Sequence, residues 1–513
     1  MIIHQATALL HPVSFHSQAW PGSGRYGLLV PLAAAVLACW FWFKERRSTA
    51  PGAPGSPRSG WARPTELRPL LGRGGRGERV VLGKIRAGLL SAEPLQSLVV
   101  FGPSQSRKTS GLAIPAILEW KGPILATSVK ADLLAQTLGW RSAHGPAWVF
   151  DPTGSTSMTN AEWSPLQCAR TWAGARRIAT SLCMAAKSEG SGITDADFWY
   201  ASAAKLLAPM FLAATIRSAN MADVVNWVDR RMHAEALSAL EYGGHQEALQ
   251  ALRAVLFREE RQLSSVFATA EAVLEPFAEP WAPSSGQIDI EKFLNGSPAT
   301  LYVCAPSHDQ RRLRPVFATL ISEVLRSAYA LSLSQARPLS PPLLVVLDEA
   351  ANIAPLSDLD SLASTAAGHG IQLISVWQDL SQLRARYGER AATVVNNHRA
   401  KLVLSGISDP PTLEYASALA GHKETRSVSW TRTPGGQRSA TTAPERHQLA
   451  PPDSLRRMRP GTALLLYGHL PPARVRLRPY WEDPGLARRA DMSKRPDARS
   501  RPGPSVPSQT ERM

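Results

Sequence analysis

The apolar positions of this chain fall into distinct patterns along its length. From residue 26 to 43, "YGLLVPLAAAVLACWFWF" runs for eighteen residues without a charge, near the lower limit for a helix that crosses a bilayer. From residue 79 onward, short apolar runs alternate with polar turns and helical text. "RVVLGKI" and "LQSLVVFG" open the series. "PILATSV" (123–129), "AWVFDPTG" (147–154), "ATLYVCAP" (299–306), "LLVVLDEA" (343–350), "GIQLISVWQD" (370–379) and "AKLVLSGI" (400–407) continue it. "TALLLYGHL" (462–470) and "ARVRLRPY" (473–480) close it. Runs of this length bounded by turn residues predict strands. Their alternation with helices predicts an α/β fold around a mostly parallel sheet.

Between about 160 and 285 the period changes. Leu263, Val266, Phe267, Ala270, Val273 and Leu274 recur at helical spacing, so 160–285 reads as an inserted all-α domain. Leu313, Val316, Phe317, Leu320, Ile321, Val324 and Leu325 mark an amphipathic helix after the strand at 299–306. "SGLAIPAILEW" (110–120) is also helical, but Pro115 predicts a kink or a short helix. Residues 483–513 lack apolar periodicity and predict a disordered basic tail.

Composition adds a direction. The 57 Lys and Arg against 41 Asp and Glu give a net charge of +16, which favours anionic partners such as nucleic acid, lipid headgroups or nucleotides. Cys39, Cys168, Cys183 and Cys304 show no metal-ligand spacing and fit a reducing compartment. The run at 26–43 ends in aromatics and is followed at once by "KERR" (44–47), the pattern of a cytoplasmic exit. Residues 1–25 are then extracytoplasmic, 26–43 a single transmembrane helix, and the Gly/Pro/Arg-rich 44–78 a juxtamembrane linker that carries the rest on the cytoplasmic side. A cleaved signal peptide would need small residues where the aromatics stand.

The chemistry starts at "GPSQSRKTS". It approximates G-x-x-x-x-G-K-[ST], the loop that cradles phosphates with backbone N–H groups. Gly102, Pro103, Ser104, Gln105, Ser106, Arg107, Lys108, Thr109 and Ser110 are the candidate nucleotide-binding residues. Lys108 would reach the β- and γ-phosphates and Thr109 would bind Mg²⁺. Arg107 stands where glycine is expected; with φ negative, its side chain could point away from the phosphates. "LLVVLDEA" ends in Asp348 and Glu349. Acids at a buried strand end are costly unless neutralised. Asp348 reads as a second Mg²⁺ ligand and Glu349 as the group that orients or deprotonates the attacking water; the alternative is a pair of helix-capping acids. Gln378, after "IQLISVW", would sense the γ-phosphate or the water, and Asn396 and Asn397 could do similar work. Loop, acids and amide end three apolar strands, and in a parallel sheet those ends share one ligand-binding edge.

These residues resemble the coupling proteins of type IV secretion systems, the conjugative DNA-transfer ATPases. The likeness covers about 79–480 and adds "GPILATSVKADLL", "WSPL" (163–166), "DFWYASAAKLL" (197–207) and "NNHRAKLVLSG" (396–406) to the motifs above. The Arg/Ala-rich composition suits an actinobacterial branch. The resemblance implies a RecA-like P-loop NTPase domain (79–159 and 286–482) interrupted by the all-α insertion. It further implies a hexameric ring in the cell membrane that uses ATP and Mg²⁺ to move single-stranded DNA, with its relaxase, toward the type IV secretion channel. By position it gives Lys108 and Thr109 the phosphate and Mg²⁺ roles, Asp348 and Glu349 the acidic pair, and Gln378 the sensor. The chain departs from the pattern in showing one span rather than two, and in lacking an arginine in "STAAGHGIQ". Arg399, Arg384 and Arg386 are the replacement candidates for an arginine finger. The alternative reading is a membrane scaffold that binds nucleotide, hydrolyses it weakly, and recruits DNA or relaxase.

Overall fold

The structure, a computed structural model, describes residues 60–72, 78–128, 131–156, 158, 160–187, 195–304, 308–353, 356–432 and 438–492. The run at 26–43, the residues before it and the chain beyond 492 lie outside them. The described strands are β1 (Val81–Ile85), β2 (Gly88–Ser91), β3 (Leu98–Phe101), β4 (Ile124–Ser128), β5 (Ala147–Phe150), β6 (Thr300–Cys304), β7 (Leu343–Leu347), β8 (Ile371–Trp377), β9 (Ala400–Leu404), β10 (His422–Arg432), β11 (Arg438–Gln448), β12 (Thr462–Tyr467) and β13 (Leu470–Arg476).

Eleven of them form one sheet in the order β2-β1-β13-β12-β9-β3-β8-β7-β4-β6-β5. From β9 to β5 the pairing is parallel. β12, β13, β1 and β2 extend that sheet in antiparallel fashion. β7 and β8 are buried at every position, which is why their sequences read as unbroken apolar runs rather than alternating ones.

Helices of eight or more residues are α1 (Thr109–Glu119), α2 (Ala131–Ser142), α3 (Trp172–Ala186), α4 (Ala196–Ile216), α5 (Met221–Asp229), α6 (His233–Tyr242), α7 (Gln246–Leu256), α8 (Glu260–Leu274), α9 (Gln310–Ser334), α10 (Leu380–Tyr387), α11 (Arg390–Asn397), α12 (Pro410–Ala420) and α13 (Pro484–Met492). The sheet separates two cores. Val99 and Phe101 join the core shared with α3 to α9, whereas Leu98 and Val100 join the core under α1, α2 and α13.

The helical stretch α3 to α8 lies between β5 and β6, where its spacing predicted helices. Its apolar positions belong to the same buried cluster as one face of the sheet. Phe150 marks the junction, with its ring edge-on to Trp163, Trp281 and Phe317 at 6.5, 5.7 and 5.8 Å. α4 and α9 are long and apolar enough to cross a membrane, but 67% and 61% of their most apolar windows are buried inside the fold, as expected of core helices.

Two departures from the sequence reading have physical causes. The fold begins before residue 79: within the Gly/Pro/Arg-rich linker, Leu67 and Leu70 are buried and Trp61 lies under Arg474 at 4.5 Å. The disordered tail expected over 483–513 does not hold for 484–492, which are helical. α13 buries Leu486 and Ala490, and Arg489 donates to the Leu118 carbonyl at 2.8 Å; so short a helix carries too few apolar residues to show a period. Pro115 goes with the short helix that the sequence allowed: it stands inside α1, just after a π-type turn at Thr109–Ala113 and in an α segment of six residues, Ile114–Glu119, and the widened turn accommodates a residue with no N–H to donate.

β10 and β11 pair over their full length as a separate ribbon. Nothing in the apolar pattern announced it, because its described side chains are exposed or half-buried.

Candidate nucleotide site

The residues singled out from the sequence meet at one edge of the sheet. β3 pairs with β8, and β8 with β7, so the loop after Phe101, Gln378 after Trp377, and Asp348 after Leu347 leave three adjacent strands at the same end. The loop entry is fixed by Gly102, whose N–H donates to the Trp377 carbonyl at 3.0 Å. A Cβ at Gly102 would stand 2.7 Å from Ser106 Oγ, so a side chain there would collide with the loop itself. Gln105 and Arg107 carry φ values of 64° and 68°.

The arginine therefore occupies the left-handed conformation that glycine favours, which corrects the expectation of a negative φ. Its side chain does point away from the loop interior. Nη1 lies 3.4 Å from Glu482 Oε1, and Cδ is 3.3 Å from where a Cβ on Gly461 would be. Glu482 is shared, with Arg476 Nη2 at 2.7 Å from its other oxygen.

Lys108 is buried, with Nζ 3.3 Å from the Gly102 carbonyl and 3.4 Å from that of Pro103. The ammonium is folded back across its own loop. Thr109, which opens α1, donates its hydroxyl to Asp348 Oδ2 at 2.8 Å. Asp348 is buried, its Oδ1 has no hydrogen-bond partner among the described residues, and its backbone carbonyl accepts from Thr127 Oγ1 on β4 at 3.1 Å. Burial pushes the Asp348 carboxyl up to about 6; the Thr109 hydroxyl and Lys108 pull the other way, and Glu349 and Asp132 add like charge. Glu349 adopts a left-handed backbone, φ 56°. Such conformations cost free energy and concentrate at functional sites.

Gln378 borders the loop. With Pro103, Ser104, Asp379, Ile407, Ser408 and Asp409 it lines a cavity of about 480 Å³, and its backbone N–H donates to Gln382 Oε1 at 2.9 Å. Ser110, the last loop residue, is half-buried in the first turn of α1.

Other candidates separate from this cluster. Asn396 and Asn397 end α11, ahead of β9, and so stand at the opposite sheet edge; Asn397 Nδ2 donates to the Asp360 carbonyl. Arg399 also precedes β9, where it pairs with Glu93 at 3.0 Å and lies over Tyr467. Arg384 and Arg386 lie in the last turn of α10, which starts beside Gln378.

Sequence reasoning missed Asp132, in the first turn of α2 after β4, and Asp409, which caps α12 through the Thr412 N–H at 3.0 Å. The legible signal for the second was an Asp directly before a Pro-Pro pair, a helix-start signature.

Known proteins resemble this chain over most of its length. The family model described as type IV secretory system conjugative DNA transfer matches residues 72–503. The conjugal transfer protein TraG of Escherichia coli is 25% identical over 402 residues, covering 71% of this chain and 62% of TraG. VirD4 of Rhizobium radiobacter is 23% identical over 413 residues, covering 78% of this chain and 59% of VirD4. The chain thus spans about three-fifths of the length of these relatives. Among solved structures, the bacterial conjugative coupling protein TrwB lacking its N-terminal segment superimposes with a TM-score of 0.62 at 20% identity, covering 83% of this chain and 95% of that one. With a family model matched over most of its length and this fold, the chain belongs to the type IV secretory system conjugative DNA transfer family.

Proposed function

We propose that this protein is a membrane-anchored P-loop ATPase that couples ATP hydrolysis to movement of DNA, with its relaxase, toward a type IV secretion channel, acting as a homo-hexamer. The observation that carries the reading is the Thr109–Asp348 contact. A buried carboxylate with one oxygen on the hydroxyl and the other without a hydrogen-bond partner among the described residues, beside Lys108, is a hard-oxygen site suited to Mg²⁺. Solved TrwB structures described as complexes with an ATP analogue and with ADP and Mg²⁺ lend the same chemistry to a similar fold.

Mg²⁺ held by Thr109 and Asp348 would neutralise charge on the phosphates. The loop backbone from Gly102 to Ser110 cradles the anion. Lys108 exchanges the Gly102 and Pro103 carbonyls for phosphate oxygens. Glu349 takes the proton of the attacking water, and Gln378, at the mouth of the same loop, reports the state of the γ-phosphate to α10. The run at 26–43 anchors the chain, and the basic balance favours DNA.

The scaffold alternative draws on one specific observation: Arg107 is held by Glu482 in a glycine-like conformation. Hydrolysis by the full-length chain in detergent separates the two. A motor loses activity in Lys108→Ala, and in Glu349→Gln it keeps nucleotide affinity while turnover falls by about 10²-fold or more. Transfer that persists in Glu349→Gln identifies a scaffold.

A further inference from the structure

A cavity with a basic wall lies beside the nucleotide loop. A cavity of about 700 Å³ is walled by Lys84, Arg86, Arg457, Arg459, Arg474 and Arg476, with Asp453 as its only acid. Lys84, Arg86, Arg457 and Arg459 make no ion pair among the described residues, whereas Arg474 lies over Trp61 and Arg476 shares Glu482 with Arg107. Cations gathered in a concave wall repel one another and focus a positive field into the space between them. Ile85, Met458 and Val475 give the same wall apolar surface. This volume lies within the range of small-molecule sites. Charge on the rim with apolar surface between matches a phosphate ester that carries a flat heterocycle.

The geometry points to this cavity as a binding site for a phosphate-bearing group of nucleotide size, either a free nucleotide or one unit of a strand. Its occupancy is communicated to the nucleotide loop through Glu482. One carboxylate holds Arg476 of the cavity wall on one oxygen and Arg107 of the loop on the other. Thr462, also in the wall, follows Gly461, which packs on the Arg107 side chain. A phosphate that recruits Arg476 frees Glu482 to hold Arg107 alone, and by linkage nucleotide in the loop alters affinity in the cavity by the same factor. The coupling rests on the nucleotide-site reading above; binding in the cavity does not.

Photo-crosslinking of the full-length chain reads each site separately. The probes are azido-ADP and a short oligothymidylate bearing 4-thiothymidine, with labelled peptides mapped by mass spectrometry. The expected result is labelling within 453–462 or 474–476 that falls at least tenfold in an Arg457→Gln, Arg459→Gln double variant, while azido-ADP labelling of the loop persists. Labelling of the cavity by azido-ADP in Lys108→Ala identifies free nucleotide as the source; labelling by the oligothymidylate alone identifies a strand. No labelling of the cavity by either probe, or labelling undiminished in the double variant, overturns the site. Glu482→Gln keeps cavity labelling but loses an at least threefold shift in ADP affinity on adding oligothymidylate. Absence of that shift in the wild type overturns the coupling. Failure of the nucleotide-site reading shows up separately, as loss of loop labelling.

Discussion

Arg107 shows how one backbone angle redirects a sequence argument. A left-handed arginine costs about 1–2 kcal/mol relative to a compatible conformation, and its exposed pair with Glu482 returns at most about 1 kcal/mol. Arg107→Gly relieves the first and loses the second, and glycine adds unfolded-state entropy. Its unfolding free energy in urea should therefore stay within about 1 kcal/mol of wild type. Arg107→Val keeps the strained angle, adds a β-branch and loses the pair, so it should cost about 2 kcal/mol. Equal losses for both would show that the ion pair, not the angle, governs the position. Asp348 carries the opposite kind of cost. Its folded pKa, about 6, lies above the ordinary 3.8. The favourable contribution of the protonated carboxyl is complete below about 4 and is lost as pH rises through 6. In EDTA and without nucleotide, Asp348→Asn should be more stable than wild type at pH 7 by roughly 2–3 kcal/mol. That gain should vanish near pH 4, as measured by urea titrations across the range.

At the scale of elements, burial decides what the sequence discloses. β3, β4, β7 and β8 are buried at all positions, so "LVVF", "ILATS", "LLVVL" and "IQLISVW" stood out, and with them the loop, the acid pair and Gln378. The ribbon of β10 and β11 has no buried face to impose a period. Polar strands, paired over eleven rungs, look like loop text. Asn396 and Asn397 fall away from the loop for a related reason. A residue beside a strand is easy to see, but which end it occupies depends on the strand's direction. The ribbon's base also makes a testable point. Leu449 N–H donates to the Gly421 carbonyl at 2.9 Å, so the chain closes before the ribbon begins. Replacing 422–448 by a short Gly-Ser turn should change stability by less than about 1 kcal/mol, since an isolated two-stranded ribbon contributes little of its own. A loss of several kcal/mol in urea unfolding would mean that the ribbon supports the fold.

For the molecule as a whole, the helical stretch and the sheet share one apolar cluster. Two thiols report on the two regions: Cys183, buried on α3 within that cluster, and Cys304, on β6, whose Leu301 and Val303 join the same cluster while Cys304 itself is buried in the core on the sheet's other face; burial pushes both up to about 12. A shared core predicts that pulsed thiol labelling in urea gives both the same midpoint. An earlier midpoint for Cys183 would mark the helices as a separate unfolding unit. The shared cluster was not legible beforehand, because helical period reveals that a face is buried but not against what.

The pairing of Arg107 with Glu482 joins positions 375 residues apart. At the usual pace of about 5–20 residues per second, a ribosome takes of the order of a minute to travel between them. β1 pairs at once with β2 but waits equally long for its other neighbour, β13, since Lys84 is registered with Arg476. The nascent chain thus carries its phosphate loop long before the carboxylate that holds it exists. Until then the loop lacks its final brace, so the site is completed only once residue 482 has been made.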